Sequence, residues 1–172
     1  MPRVAVVQME TGSCRPPRVP RGVDLVVYPA SPCPLYPGEG RAYIVARGDH
    51  VLVFEAGRLY SAPCGSAVDA AGLRLLVLCS VEPCVECRGA YDAVIVAEPR
   101  WAPLGGARAE ARRLAYLLMT LSYRCSAPVL YANLWGRLGS RVYIGASGFY
   151  DYSASLPAAL GGWGDGVVTR EL

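Results

Sequence analysis

At 172 residues the chain fits one domain with a sizeable core, since about two-thirds of its unfolded surface can be buried at this length. Hydrophobic residues make up 53% of it, yet no apolar run approaches the roughly 20 residues that cross a bilayer, and no secretory pattern precedes Val4-Ala5-Val6-Val7, so a soluble, cytoplasmic protein is expected. A net charge of +3, with Arg112-Arg113 as the only adjacent basic pair, argues against a nucleic-acid surface.

The chain holds 17 arginines and no lysine, 14 prolines, and Gln8 and Asn133 as its only side-chain amides. Scarce thermolabile amides point to a thermophilic source, and GC-rich coding explains the arginine bias equally well. Seven cysteines stand at positions 14, 33, 64, 79, 84, 87 and 125. In intracellular proteins of hyperthermophiles such cysteines form bridges, so two or three disulfides and at least one odd thiol are expected.

In chain order, Arg3 to Met9 is an apolar, β-branched strand interrupted by Gln8. Glu10 to Gly22, with three prolines and no helical period, is a connector. Val23 to Tyr28 is a second buried strand, and the connector is long enough for it to lie parallel to the first. Pro29 to Gly40 is irregular, and Gly40 to Ala46 is read as a turn of helix. His50 to Glu55, Arg58 to Val68 and Leu73 to Cys79 form an antiparallel meander, joined by Ala56-Gly57 and by Asp69-Ala70-Ala71-Gly72. Asp92 to Ala97 is another buried strand. Gly106 to Cys125 is the one helix: Leu114, Leu117, Leu118 and Leu121 recur at helical spacing, while Arg108, Arg112 and Arg113 crowd the positive end of its dipole and call for neighbouring acids or a partner. Pro128 to Leu134 and Arg141 to Tyr150 are strands, and the tail from Gly166 offers an edge strand. Strands outnumber helices and several are apolar on both faces, so a layered α/β sandwich is expected over a barrel.

The strand Leu75-Leu76-Val77-Leu78-Cys79 places a thiol at a strand end, where the sheet holds the sulfur and the next loop leaves it reachable. With Arg3 to Met9, Val23 to Pro29, Gly89 to Val96, Tyr131-Ala132-Asn133 before Gly136, and Gly145-Ala146-Ser147, the order of motifs over nearly the whole chain resembles the carbon–nitrogen hydrolase (nitrilase) family. The resemblance implies a four-layered α-β-β-α sandwich of two stacked mixed sheets, a cysteine nucleophile at Cys79, a homodimer, and a small amide or nitrile as ligand. It implies no cofactor and no metal.

The departures concern the groups that arm the thiol. Where the family carries its glutamate base, after Pro29, stands Ala30, and the oxyanion-binding lysine has no equivalent in a chain without lysine. The available carboxylates are Glu82, Glu55 and Glu98, and Arg100 is the available cation; arginine donates hydrogen bonds but is no acid near neutrality. Cys79 also suits a buried apolar site or a disulfide. Cys84-Val85-Glu86-Cys87 has the spacing of redox and metal knuckles, which Cys79 or Cys64 would complete, though a structural bridge is the plainer reading. Trp101 is a candidate pocket wall, Asn133 a partner for backbone groups at a strand end, and Ser147 a hydrogen-bonding residue. The expected function is a degenerate hydrolase-like protein acting as a binding, regulatory or structural subunit. The alternatives are an amide hydrolase with substituted helpers, and metal or thiol–disulfide chemistry at Cys79, Cys84 and Cys87.

Overall fold

Runs of valine, isoleucine and leucine build two stacked sheets in a computed structural model that describes residues 1–30, 41–47, 49–79, 81, 87–153, 158–161 and 163–172. In the larger sheet β1 (Arg3–Glu10), β2 (Leu25–Tyr28) and β3 (Ala42–Ala46) run parallel, and β4 (His50–Glu55) and β5 (Arg58–Pro63) continue it antiparallel. The smaller sheet contains β6 (Ala67–Ala70), β7 (Leu73–Leu78), β8 (Ala93–Val96), β10 (Val129–Tyr131), β13 (Gly148–Tyr150) and β14 (Ala158–Ala159), with β7, β8 and β10 parallel. On the far side of β1 the larger sheet adds β15 (Gly166–Glu171), antiparallel along Arg3 to Gln8, and β11 (Leu134–Leu138), parallel at Met9 and Glu10. From β11 it runs to β12 (Arg141–Ile144) and β9 (Trp101–Pro103). Both sheets are therefore mixed.

Alternation along each strand explains why so many of them read as apolar on both faces. Val4 and Val6 of β1, Leu25 and Val27 of β2, and Leu75 and Val77 of β7 meet in the core between the sheets, with Ile95, Leu130 and Phe149. Leu76, Leu78, Val94, Val129 and Tyr131 turn the other way and receive helix α1 (Ala107–Cys125) through Leu114, Leu118, Leu121 and Cys125. Ala5, Val7, Met9, Val26 and Tyr28 fill a third cluster on the outer face of the larger sheet. There, among the described residues, the cover is no helix: Val19 of the connector packs against it. The two-sheet sandwich matches the expectation, with a helical layer on one side.

Several elements differ from the sequence reading. Gly40 lies outside the described residues, and Ala42–Ala46 is a buried strand rather than a helical turn, because Tyr43, Ile44 and Val45 pack on both faces beside β2. The meander is split: Ala56-Gly57 closes the β4–β5 hairpin in one sheet and Ala71-Gly72 closes β6–β7 in the other, with the chain changing sheets after Pro63. All four of those turn residues have positive φ, from 49° to 78°, as a two-residue hairpin turn requires. Pro128 to Leu134 and Arg141 to Tyr150 are each broken where the chain passes between sheets, and β9 went unread. The tail does form a strand, on the central β1.

Helix α1 begins at Gly106 without a side-chain cap and ends at Ser126, which adopts a left-handed conformation (φ 49°) and donates its N–H to the last turn. The acid its arginine-rich start calls for is Glu110, bound by Arg113 at 3.7 Å and by Arg100 at 3.4 Å. At the other end of the sandwich wall, Arg170 of β15 meets Asp151 beyond β13 at 2.7 Å and ties the sheets together. Burial pushes the Asp151 carboxyl up, but hydrogen bonds from the Ser153 hydroxyl and N–H and the Arg170 guanidinium outweigh it and hold the group below its ordinary value of 3.8. A depressed carboxyl contributes stability that is whole above its unfolded pKa and is lost as pH falls through the folded one. Urea unfolding is expected to show Asp151→Asn about 1–2 kcal/mol less stable than the parent at pH 7, a figure reduced for the part-exposed arginine, with the gap closing at the most acid pH where both remain folded.

Candidate functional site

The parallel strands set a common direction, and their C-terminal ends converge. Gln8, near the end of β1, accepts the N–H of Ser147 at 3.1 Å, and Asn133, just past β10, donates its own N–H to the Ser147 hydroxyl at 2.8 Å. Because β2 runs with β1, and β7 and β8 run with β10, Ala30 and Cys79 lie at this same end, both packed against the core between the sheets.

Cys79 is not a free thiol. It is bonded to Cys64, whose Cα lies 5.5 Å away in the turn between β5 and β6. Gly65, with φ of 83°, makes the turn; its N–H meets the Val77 carbonyl and the Val77 N–H meets that of Ser66, so the hairpin ladder delivers one cysteine beside the other. Cys87 is bonded to Cys125 at the end of α1, and Cys14 is also in a disulfide. These pairings correct two expectations. Cys64 and Cys79 are bound to each other and complete no metal knuckle, and Cys87 bridges to the helix rather than acting with Cys84, which lies outside the described residues. Among the described residues no group of three His, Cys, Asp or Glu side chains gathers as metal ligands.

The proposed helpers separate. Glu82 lies outside the described residues. Glu55 sits at the opposite end of the sandwich, where its Oε1 accepts the Ala71 N–H at 2.5 Å, and β7 puts about 20 Å between that turn and Cys79. Glu98 is at the right end: its Oε2 accepts the N–H of Val81, two residues beyond Cys79, at 3.0 Å, and its Oε1 pairs with Arg100 Nε at 3.1 Å. Arg100 is thus held between Glu98 and Glu110, its side chain only 14% exposed. The group anchors the segment after Cys79 to the start of α1.

Beneath it, Asn133 satisfies four backbone groups. Its Oδ1 accepts the N–H groups of Leu134 and Arg100, and its Nδ2 donates to the carbonyls of Arg100 and Gly145. The Ser147 hydroxyl accepts the Asn133 N–H and donates to its carbonyl, so Ser147 is a fully buried hydrogen-bonding residue. Trp101 is exposed on edge strand β9, with the Arg141 guanidinium 4.4 Å above its ring, and lines neither of two cavities. One of these, about 630 Å³, lies at the foot of the sandwich among Asp24, Arg41, Phe54 and Glu55; the other, about 220 Å³, lies between Arg108, Ile144 and Trp163. Cys79 lines neither.

Three members of this region escaped the sequence reading. Gln8 is wholly buried, its Nε2 donating to the carbonyls of Gly161 and Gly164; a lone amide inside an apolar strand was the available signal. Glu110 stands among the arginines in the first turns of α1, and only the fold brings Arg100 to it. Tyr131 buries its hydroxyl, and burial, then the Glu98 carboxylate, pushes the phenol well above its ordinary range.

No family model and no curated protein matches the sequence. Solved structures do. A carbon–nitrogen hydrolase superfamily protein of Xanthomonas campestris superposes with a TM-score of 0.70 at 16% identity, over 98% of this chain and 89% of that one. A cysteine-to-alanine variant of a nitrilase-superfamily amidase from Nesterenkonia gives 0.72 at 14%, over 99% and 90%. The chain has the carbon–nitrogen hydrolase fold. A glutamine-dependent NAD+ synthetase of Acinetobacter baumannii gives 0.70 at 12%, over 97% of this chain and 44% of that one. In another structure of the Nesterenkonia amidase, the acetamide moiety of fluoroacetamide is covalently added at the active-site cysteine. A likeness at such identities shows the fold alone, and the residues decide any chemistry.

Two outcomes test this geometry. Asn133→Ala strands several buried backbone groups and is expected to lose about 2–4 kcal/mol in urea unfolding. Iodoacetamide applied to native, unreduced protein is expected to leave Cys79 unlabelled when peptides are mapped; a carbamidomethyl group there would break the assigned bridge.

Proposed function

We propose that this protein is a nitrilase-fold scaffold without hydrolytic turnover, acting as a binding or structural subunit. The observation that carries the reading is the Cys64–Cys79 bond, which removes the sulfur at the nucleophile position from attack. The surroundings support it. Ala30 puts a methyl group where the family resemblance places the base, and no lysine exists to bind an oxyanion. Arg100, the candidate substitute cation, is engaged by Glu98 and Glu110. Losing one oxyanion donor costs about 10²–10³ in rate, and losing the base multiplies the deficit.

The reading places the chain in the cytoplasm of a thermophile, a setting in which intracellular disulfides persist. It includes self-association, at least as a dimer, and exposed Tyr116 and Tyr123 on α1 support a contact surface there. A small amide or nitrile remains the ligand class that the resemblance implies.

Ammonia release from acetamide, butyramide and the corresponding nitriles is the deciding assay, run on oxidised and on dithiothreitol-reduced protein. No turnover above the uncatalysed background is expected in either state. Turnover that disappears in Cys79→Ala would replace this reading with that of a thiol-dependent amide hydrolase. Light scattering on the eluting protein tests the dimer, and a monomer at all concentrations removes that part of the proposal.

A further inference from the structure

We propose that the Cys64–Cys79 bridge is a thiol–disulfide exchange site, opened by a small dithiol while Cys87–Cys125 stays closed. It concerns the same sulfur as the function proposed above and rests on that reading only for what the freed thiol does.

The two bridges differ in access and in what they restrain. Cys64 and Cys79 are both half-buried, and Pro63 and Gly65 on either side of Cys64 are exposed. Cys125 is 7% exposed and belongs to the core between α1 and the smaller sheet, beside Leu121 and Val129. Cys87 is half-buried too, so access favours the first bridge only in that neither of its sulfurs belongs to a residue buried in the core, whereas exchange at Cys87–Cys125 must displace or reach the buried Cys125. Restraint selects it too. The bond between Cys64 and Cys79 lies at the end of a hairpin already closed by the Ala71-Gly72 turn and by pairing from Ala67–Leu76 to Ala70–Leu73. Breaking it frees little chain, and the ladder keeps the two sulfurs adjacent for reoxidation. Cys87–Cys125 spans 38 residues that include β8, β9 and α1, and its loss releases a helix end from the core.

The neighbours also assign the order of events. Cys64 stands in an exposed turn, whereas Cys79 lies between buried Leu78 and buried Val81. The dithiol's thiolate attacks Sγ of Cys64, the bond to Cys79 breaks, and Cys79 leaves as a thiolate that takes a proton from water. The second thiol of the reagent loses its proton to water and attacks its own sulfur in the mixed disulfide, releasing Cys64 as a thiolate that is protonated in turn. The protein gains two electrons and two protons, and the dithiol becomes a cyclic disulfide. The product carries a thiol at the nucleophile position of the fold.

The test equilibrates native protein across ratios of reduced to oxidised dithiothreitol, quenches with iodoacetamide, and maps labels by mass spectrometry after cleavage at arginine. Cys64 and Cys79 are expected to be half-labelled at a ratio at least tenfold less reducing than Cys87 and Cys125, with near-ultraviolet circular dichroism unchanged. Joint opening of both bridges, opening only with loss of that signal, or resistance of Cys64–Cys79 until denaturant is added would overturn the proposal. Cys64→Ser provides a second check: folded variant should label at Cys79 at once, and failure to label would count against an accessible sulfur. Should that variant not fold, the titration of the parent decides. Amide turnover appearing on reduction would sink the non-hydrolytic reading and leave the exchange standing, whereas a closed bridge would do the reverse.

Discussion

Twice within fifteen residues the chain leaves one sheet for the other, after Tyr131 and again after Ile144, and both passages run through the interior at Asn133 and Ser147. Backbone groups that quit a ladder inside a core have no water to turn to, and leaving one unpaired costs about 1–3 kcal/mol. Asn133 and Ser147 supply the missing partners, and Gln8 ties the node to β1 and to the segment before β15. To the hydrophobic interface and the Arg170–Asp151 pair this node adds a polar connection that sets strand ends of the two sheets side by side.

That alignment places the chemically suggestive residues. The end of β7 with Cys79, the residue after β2, and the Glu98–Arg100–Glu110 group all follow from the common direction of the parallel strands. Two carboxylates around one buried guanidinium compensate each other's desolvation and secure the start of α1 to the chain after Cys79. At this end of the sandwich the charged groups bind one another.

Covalent links take over part of the holding. Among the described residues the sandwich carries one helical layer, and on the outer face of the larger sheet Val19 of the connector packs against the apolar cluster. A bridge closing a loop of about fifteen residues contributes about 3 kcal/mol in the chain-entropy account, comparable to several buried side chains' worth of optimisation. All five described cysteines are bonded. The same chemistry that stiffens the sandwich occupies the sulfur at the end of β7.

Much was legible in the chain itself. The period of Leu114, Leu118 and Leu121 determined a helix from Gly106 to Cys125, and short apolar, β-branched runs determined β1, β2, β4, β7 and β8, because both signals arise from neighbours within one element. The missing lysine and the alanine after Pro29 were equally plain. Tertiary structure alone decided which sheet each strand joins, since β5 and β6, or β12 and β13, have the same local preference wherever they pair. It also decided that a tyrosine and valine run at Ala42–Ala46 is a strand, that Glu55 stands a strand's length from Cys79, and that Cys79 pairs with Cys64. Those outcomes depend on which residues meet across long separations, and local spacing carries no record of such meetings.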